Sequence, residues 1–420
     1  MRVLILGGGG REHAIAWKLR QEGHEIFAIP GNPGIAEVGT CLGGAILLKD
    51  NVALASVAVV ANIDFTIVGP EAPLANGIVD HFNKHRLPVF GPTKAAAEIE
   101  TSKEFCCHLL ESAGVAIPKT TYFQSFGAMK GTASAMKPPF VIKKSGLASG
   151  KGAEVIKSGE DFLPAMARLE KLEAEETWLI QRMAVGPEMS YFVLTDGEDF
   201  AFLGSAQDYK PLYRGGPNTG GMGGFSPHPL LTSELKQTID DQIVEPTIRT
   251  MAGIGRQYKG VLYFQLMITD KGPVVIEINC RFGDPETQLM MPLFDFKLLP
   301  LLIATTKAGS LQKLGKRWPV SKDKTVGIVM SSRGYPGTPE TGSMILGLPE
   351  EAEEYLVFQA GTEFRDNVLV NSGGRVLTAV GKGETYVSAK VRALEAVRGI
   401  SFIGAYYRDD IADEVIESQA

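Results

Sequence analysis

Residues 274–288, "VVIEINCRFGDPETQ", begin as an apolar run and end in a cluster of charged and amide side chains: Glu277, Asn279, Arg281, Asp284, Glu286 and Gln288. Side chains alternate across a strand. A strand here is expected to put Glu277, Asn279 and Arg281 on one face and Val274, Ile276, Ile278 and Cys280 on the other. Glu277 and Asn279, two residues apart on a rigid element, offer the hard oxygen ligands that hold Mg²⁺ beside phosphates. Arg281 presents a planar fork suited to a carboxylate. The bland alternative is a solvated strand end, which has little use for the Gly283-Asp284-Pro285 that follows.

Two glycine clusters bear on phosphate chemistry. In "GGGGREHA" the dinucleotide fingerprint GxGxxG fails, because Glu12 or His13 stands where the third glycine belongs. The second strand ends in Pro30-Gly31 without an acidic residue for a ribose, so a dehydrogenase is disfavoured. What remains is a helix N-terminus with free amides at Gly9 and Gly10 and with Arg11 beside them, which suits a phosphate monoester. In "KKSGLASGKGA" the Gly146 to Gly150 spacing is one residue short of a P-loop, and Gly152 replaces the Ser or Thr that binds magnesium. A glycine-rich hairpin loop preceded by Lys143 can still fold over a triphosphate, its amides donating and the lysine neutralising charge.

Composition narrows the class. The chain has 420 residues, 44% of them hydrophobic, enough for about three domains with real cores. A net charge of -6 lacks the basic surplus of nucleic-acid binders, so no nucleic-acid partner is expected. The four cysteines form no CxxC pair, which argues against a disulfide framework and against zinc. No signal peptide is expected at the start, and the longest apolar run, Val52 to Ala61, falls well short of the roughly 18 residues that span a bilayer. A cytoplasmic protein with no membrane partner is the expectation.

The elements that must position these residues follow from periodicity. Residues 1–102 alternate short apolar strands with helices, the pattern of a doubly wound α/β domain whose site lies at strand C-terminal ends. Residues 93–114 read as helical. Residues 120–188 alternate the strands "TYFQSF", "PFVIKK", "AEVIKS" and "TWLIQRM" with one charged helix, "EDFLPAMARLEKLEAEE", as a small α+β unit. A hairpin is expected in "GVLYFQLMITDKGPVVIEIN". From 326 to 420 the chain reads as a separate antiparallel α+β module closed by a helix at 385–398.

The segments "GGGGREHA", "TIVGPEAPL", "FGPT", "TSKEF", "VIKKSGLASGKG", "GPNTGGMGGFSP", "EINCRFGDPETQ", "GYPG" and "NSGGRV" together resemble, in order and spacing, the glycinamide ribonucleotide synthetases, an ATP-grasp ligase family. The resemblance covers nearly the whole chain. It implies an ATP-grasp domain at 103–325, with a mobile lid at about 120–188, between the N-terminal domain and the C-terminal module. It implies ligation of glycine to 5-phosphoribosylamine with ATP and Mg²⁺ (or Mn²⁺), by a monomer or weak homodimer. By the same resemblance Lys103 and Lys143 reach ATP phosphates beneath the loop of Gly146, Gly150 and Gly152, and Glu188 binds the ribose. Glu277 and Asn279 hold the metal. Lys143, Arg281 and Asp208 are the catalytic set, Asp208 holding the glycine ammonium and Arg281 its carboxylate. Lys210, Asn218 and Thr219 form the substrate loop, and Gly9, Gly10, Arg11, Glu71, Asp284 and the turn Ser372, Gly373 to Arg375 cradle phosphoribosylamine.

The chain departs from the family pattern at Lys144-Ser145, at Gln181-Arg182-Met183-Ala184 and at Arg214, all around the nucleotide and the substrate loop. Two other readings therefore stand beside the first: an ATP-grasp ligase for a different carboxylate and amine, and an ATP-binding regulator without catalysis.

Overall fold

The computed structural model describes the chain except for residues 44–45, 148–151, 173–176, 316–317, 350–351, 353 and 419–420. The N-terminal strands β1 (Arg2–Gly7), β2 (Glu25–Pro30), β3 (Thr40–Cys41), β4 (Phe65–Val68) and β5 (Val89–Phe90) form a parallel sheet in the order β3-β2-β1-β4-β5. The order reverses beside β1, so the crevice of this doubly wound sheet opens where β1 meets helix α1 (Gly10–Gln21). The expected α/β domain is present. Helices Lys94–Thr101 and Lys103–Ser112 lead out of it, each capped by a hydroxyl, Thr93 and Ser102 respectively.

The segment from 120 to 188 has its own sheet, β6 (Thr120–Phe123), β7 (Phe140–Lys144), β8 (Ala153–Ile156) and β9 (Trp178–Arg182), in the order β6-β9-β7-β8. It also has its own core, built on Phe126, Met129, Phe140, Trp178 and Ile180. Such a unit can shift as one piece over the body. Two helices rather than one cover it. Phe126–Ala135 was not expected, because Gly127 and Gly131 depress its propensity, and it rests on the Ser125 cap and on burial of Phe126 and Met129. The charged helix runs from Gly159 to Leu169 and gives way to a turn at 170–172, while the end of the expected span, 173–176, lies outside the described residues.

The body is one large sheet. Strands β10 (Glu188–Thr195), β11 (Phe200–Asp208), β12 (Gly223–Ser226), β13 (Gly260–Thr269) and β14 (Gly272–Asn279) continue into β15 (Lys324–Ser331), β16 (Tyr355–Gln359) and β19 (Arg375–Gly383), in the order β14-β13-β10-β11-β12-β15-β19-β16. The hairpin β17 (Thr362–Arg365) and β18 (Val368–Asn371) stands apart. The C-terminal module therefore differs from the separate unit expected: β12 pairs with β15, so one ladder joins it to the body. Its outer face is covered by helix Tyr386–Gly399, whose Ala389, Ala393 and Val397 meet Val326, Ile328 and Ala379. Among the described residues no helix is long and apolar enough to cross a membrane.

Candidate functional site

Between the 120–188 unit, the N-terminal domain and the body sheet lies a cavity of about 1210 Å³, above the roughly 300–1,000 Å³ of a single small-ligand cleft. Its floor is the polar face of the sheet. Across the ladder Ser190, Gln265 and Glu277 form one row, and Tyr263 stands opposite Asn279 in the next. Glu277 and Asn279 thus share a face, as the alternation predicts. The apolar side does not follow the predicted phase. Gln265 pairs with Glu277 but Leu266 pairs with Val275, leaving Ile276 as a bulge residue. Val275, Ile278 and Cys280 enter the core, while Val274 and Ile276 stay half-buried and Ile276 lines the cavity. The bulge turns the Ile276 carbonyl outward, where it accepts from Lys143 Nζ at 2.8 Å.

Three lysines surround Glu277. Lys103 Nζ lies 3.7 Å from Glu277 Oε1 and donates to the Gly146 carbonyl at 3.4 Å. Lys210 Nζ donates to Gln265 Oε1 at 2.6 Å, and Gln265 Nε2 donates to Glu188 Oε2 at 3.1 Å. Burial alone would raise the Glu277 pKa, but Lys103, Lys210, Lys143 and Arg281 hold it down at about 2. Burial lowers the Lys143 pKa, with Glu277 opposing and Lys103 assisting. This is a pool of positive charge around one fixed carboxylate. Asn279 is 7% exposed, and its carboxamide has no hydrogen-bond partner among the described residues. No group of three or more His, Cys, Asp or Glu able to hold a metal occurs among the described residues. Glu277 and Asn279 nonetheless present two oxygens on one face that could hold a metal ion alongside other donors.

Arg281 departs from its expected freedom to grip a carboxylate. Its Nε donates to Glu71 Oε2 and its Nη1 to the Phe282 carbonyl, both at 3.2 Å, while Nη2 sits 3.2 Å from Glu100 Oε1. All three nitrogens are engaged. Burial tends to raise the Glu71 pKa, yet Arg281 and Arg11 bring it below the usual range, whereas burial keeps Glu100 above it. Asp208, ending β11, is different again. Its Oδ1 is buried without a partner, against Gly221 and Pro285, and burial together with Glu286 pushes its pKa well up. A buried carboxylate oxygen with no donor lacks a cation or a proton.

The expectation of free amides at helix α1 fails at Gly9. Glu12 reaches back to accept from the Gly9 amide at 2.7 Å, and Arg11 Nε donates to its other oxygen at 2.6 Å. A Cβ on Gly69 would lie 2.1 Å from Glu12 Oε1, so these glycines make room for that carboxylate. A protein anion thus sits at the Gly9 amide, where a phosphate was expected. Gly9 and Gly10 consequently lie behind the cavity wall, whereas Arg11 lines it. Ser372 and Gly373 do not reach the lining either: the Ser372 amide donates to the Gly361 carbonyl, and the Gly373 carbonyl accepts from Ser332.

The cavity does bring together Lys103, Lys143, Gly146, Gly152, Glu188, Glu71, Asp208, Lys210, Asn218, Thr219, Glu277, Asn279, Arg281, Asp284 and Arg375. Gly150 lies outside the described residues. Thr219 Oγ1 and N both donate to the Lys210 carbonyl, closing the loop between them. Asp284 accepts from Gln288 Nε2 at 2.8 Å. Of the departures, Ser145 Oγ accepts from the Lys103 amide at 3.1 Å, and Gln181 Nε2 donates to Thr120 Oγ1 at 3.0 Å, while Arg182, Met183, Ala184 and Arg214 line the cavity. Sequence reasoning assigned no role to Glu286, which accepts from Tyr263 Oη at 2.5 Å and Ser190 Oγ at 3.2 Å, although its place in the polar run was the available signal. Glu100, Gln265 and Tyr335 were also missed. Glu100 sits mid-helix and carries no local mark.

Comparison with known proteins is decisive for family. Models of the phosphoribosylglycinamide synthetase N domain, ATP-grasp (A) domain and C domain match residues 1–100, 101–287 and 325–414. This chain belongs to the phosphoribosylglycinamide synthetase family. Similar relatives include a phosphoribosylamine–glycine ligase of Caldanaerobacter subterraneus, 40% identical over 98% of this chain and 99% of that protein. Another, from Nostoc sp., is 39% identical over 99% of this chain and all of that protein. The crystal structure of the Thermotoga maritima phosphoribosylamine–glycine ligase superposes with a TM-score of 0.82 at 32% identity, over 98% of this chain and 100% of that one. A Campylobacter jejuni biotin carboxylase, at 15% identity over 99% of this chain and 95% of that one and a TM-score of 0.70, shares the fold. The synthetase family thus has the architecture described here: an N-terminal α/β domain, an ATP-grasp domain and a C-terminal domain.

Proposed function

We propose that the protein joins glycine to 5-phosphoribosylamine at the expense of ATP, giving glycinamide ribonucleotide, ADP and phosphate in purine biosynthesis. The observation that carries this reading is the convergence on one sheet face of a metal-competent oxygen pair, Glu277 and Asn279, with Lys103, Lys143 and Lys210. A carboxylate and an amine do not condense unaided in water. A glycine carboxylate oxygen attacks the γ-phosphorus and ADP leaves. The amine nitrogen then attacks the acyl carbon of glycyl phosphate, the carbon–oxygen bond to phosphate breaks, and the nitrogen gives up a proton.

Two anions must meet for the first step, and the lysines offset their repulsion while stabilising the transferring phosphoryl group. Lys103 and Lys143 bind ATP phosphates under the Gly146 to Gly152 loop, and Glu188 takes the ribose. Glu277 and Asn279 would hold Mg²⁺ or Mn²⁺, which when bound would supply Lewis-acid neutralisation of the phosphates. Asp208 receives the glycine ammonium, the cation its buried oxygen lacks. Arg281 receives the glycine carboxylate by exchanging it for Glu71, which is thereby released toward the amine substrate. Lys210, Asn218 and Thr219 close the loop over glycine, and Arg11, Asp284 and Arg375 face phosphoribosylamine. We assign 1–102 to the substrate domain, 103–325 to the ATP-grasp domain with its lid at about 120–188, and 326–420 to the C-terminal domain, in a cytoplasmic monomer or weak homodimer. The test is ADP release with a panel of amino acids and amines. Dependence on both glycine and phosphoribosylamine supports the reading. Turnover with another pair, or ATP binding without any release, overturns it.

A further inference from the structure

We propose, resting on the reading that phosphoribosylamine is the acceptor, that its phosphate is gripped by the Tyr335 hydroxyl and the Nε–Nη2 edge of Arg375. The same two side chains clasp the loop at Gly220. Both residues line the cavity. Arg375 Nη1 is occupied, donating to the Gly220 carbonyl at 2.8 Å and the Asp284 carbonyl at 2.7 Å, with Asp284 Oδ1 at 3.4 Å. Its Nε and Nη2 donate to no group among the described residues. Those two N–H groups form the parallel fork that fits two oxygens of a phosphate. Asp284 spends its charge on the other side of the guanidinium.

Tyr335 Oη accepts from the Gly220 amide at 2.9 Å, which leaves its own proton to donate, and no acceptor for that proton occurs among the described residues. A Cβ at Gly220 would lie 3.2 Å from both Arg375 Nη2 and Tyr335 Oη. The missing side chain therefore keeps open a gap bordered by both donors. At helix α1, the other place a phosphate monoester would be sought, the Gly9 amide is taken by the Glu12 carboxylate. Because the Gly220 N–H and C=O are both held by these residues, a phosphate bound there steadies the loop that carries Lys210, Asn218 and Thr219.

The experiment measures binding of ribose 5-phosphate, ribose, glycine and ATP by calorimetry to wild type and Tyr335→Phe, with KM for each substrate. Tyr335→Phe removes the hydrogen bond to the phosphate together with the one from the Gly220 amide, and should weaken ribose 5-phosphate at least tenfold and glycine by less, leaving ribose and ATP within twofold. Unchanged ribose 5-phosphate affinity overturns the proposal, as does an equal loss for every ligand, the mark of a purely structural tyrosine. A second measurement needs no variant. In wild type, ribose 5-phosphate but not ribose should protect Arg375 from phenylglyoxal, read by peptide mass spectrometry, and equal modification with and without it overturns the assignment. ADP release by wild type with glycine and phosphoribosylamine is scored separately, so failure here is distinct from failure of the functional reading.

Discussion

Replacing Lys143 by methionine removes a charge while keeping the length of the side chain. In the fold Lys143 is 6% exposed, its ammonium bonded to the Ile276 carbonyl at 2.8 Å and crowded by Lys103. Its pKa is lowered, first by burial, so the fold holds the charged form against a penalty. Loss of the charge relieves that penalty but strands the Ile276 carbonyl, an orphaned acceptor costing about 1–3 kcal/mol. The opposing terms leave stability within roughly 1 kcal/mol of wild type. The rate has no such offset: one preorganised charge on a transferring phosphoryl group is worth about 10² to 10³ in turnover. The assay is initial ADP release with saturating substrates, paired with thermal unfolding. The pH profile adds a second readout. A lysine of depressed pKa loses its proton earlier than the usual value of about 10.4, so wild-type kcat/KM for ATP, which reports the free enzyme, should fall on the alkaline side sooner than an ordinary lysine would dictate, and this limb should vanish in Lys143→Met. Between the depressed folded pKa and the unfolded one the unfolded chain binds more protons, so this group makes stability rise with pH there. Turnover within threefold of wild type, or a loss matched by loss of folded protein, refutes the phosphate-neutralising role.

Asn279→Leu removes a metal oxygen at similar size, so ADP release should fall and part of it should return at higher free Mg²⁺, while Asn279→Asp retains metal binding; three rate curves that superimpose after scaling for folded protein contradict the ligand role. His13 accepts from the Gln359 amide and burial lowers its pKa to about 4, so between about 6.5 and 4 the unfolded chain takes up the proton first and stability is lost as the pH falls. That amounts to roughly 2–3 kcal/mol by pH 4.5, and His13→Gln should flatten the urea-unfolding dependence on pH over this window. His228, lowered to about 4 by burial, contributes the same sign and should remain in the variant. Gly69→Ala drives a Cβ into Glu12 and should lower stability by about 1–3 kcal/mol; a neutral change would contradict the packed Glu12 carboxylate.

Much of this was legible in residue order, because the features concerned are local. The β1 to α1 turn, the hairpin from Gly260 to Asn279 and the lysine at the end of β7 all follow from period and punctuation. Elements set by tertiary contact were not. The bulge at Ile276 depends on pairing with β13, and no alternation rule shows one extra residue. Glu12 appeared as a helix residue beside Arg11, but its place at the Gly9 amide needs Gly69, brought in by β4. Arg281 read as a free fork because its two acids, Glu71 and Glu100, lie far from it in sequence. The join between β12 and β15 is likewise a long-range pairing. Gly and Pro spacing signalled loops well and helices poorly, which is why Phe126–Ala135 was missed.

The central claim, activation of glycine as an acyl phosphate on the polar sheet face, is tested most directly by following oxygen. Glycine labelled with ¹⁸O in both carboxylate positions is incubated with enzyme, ATP, magnesium and freshly generated phosphoribosylamine, and the released phosphate is examined by mass spectrometry. If a carboxylate oxygen attacks the γ-phosphorus and the amine then displaces phosphate from carbon, each phosphate carries one ¹⁸O, and the amide product retains the other. Unlabelled phosphate formed at the rate of amide product would mean that the phosphoryl group never passed to glycine, and the mechanism would be wrong.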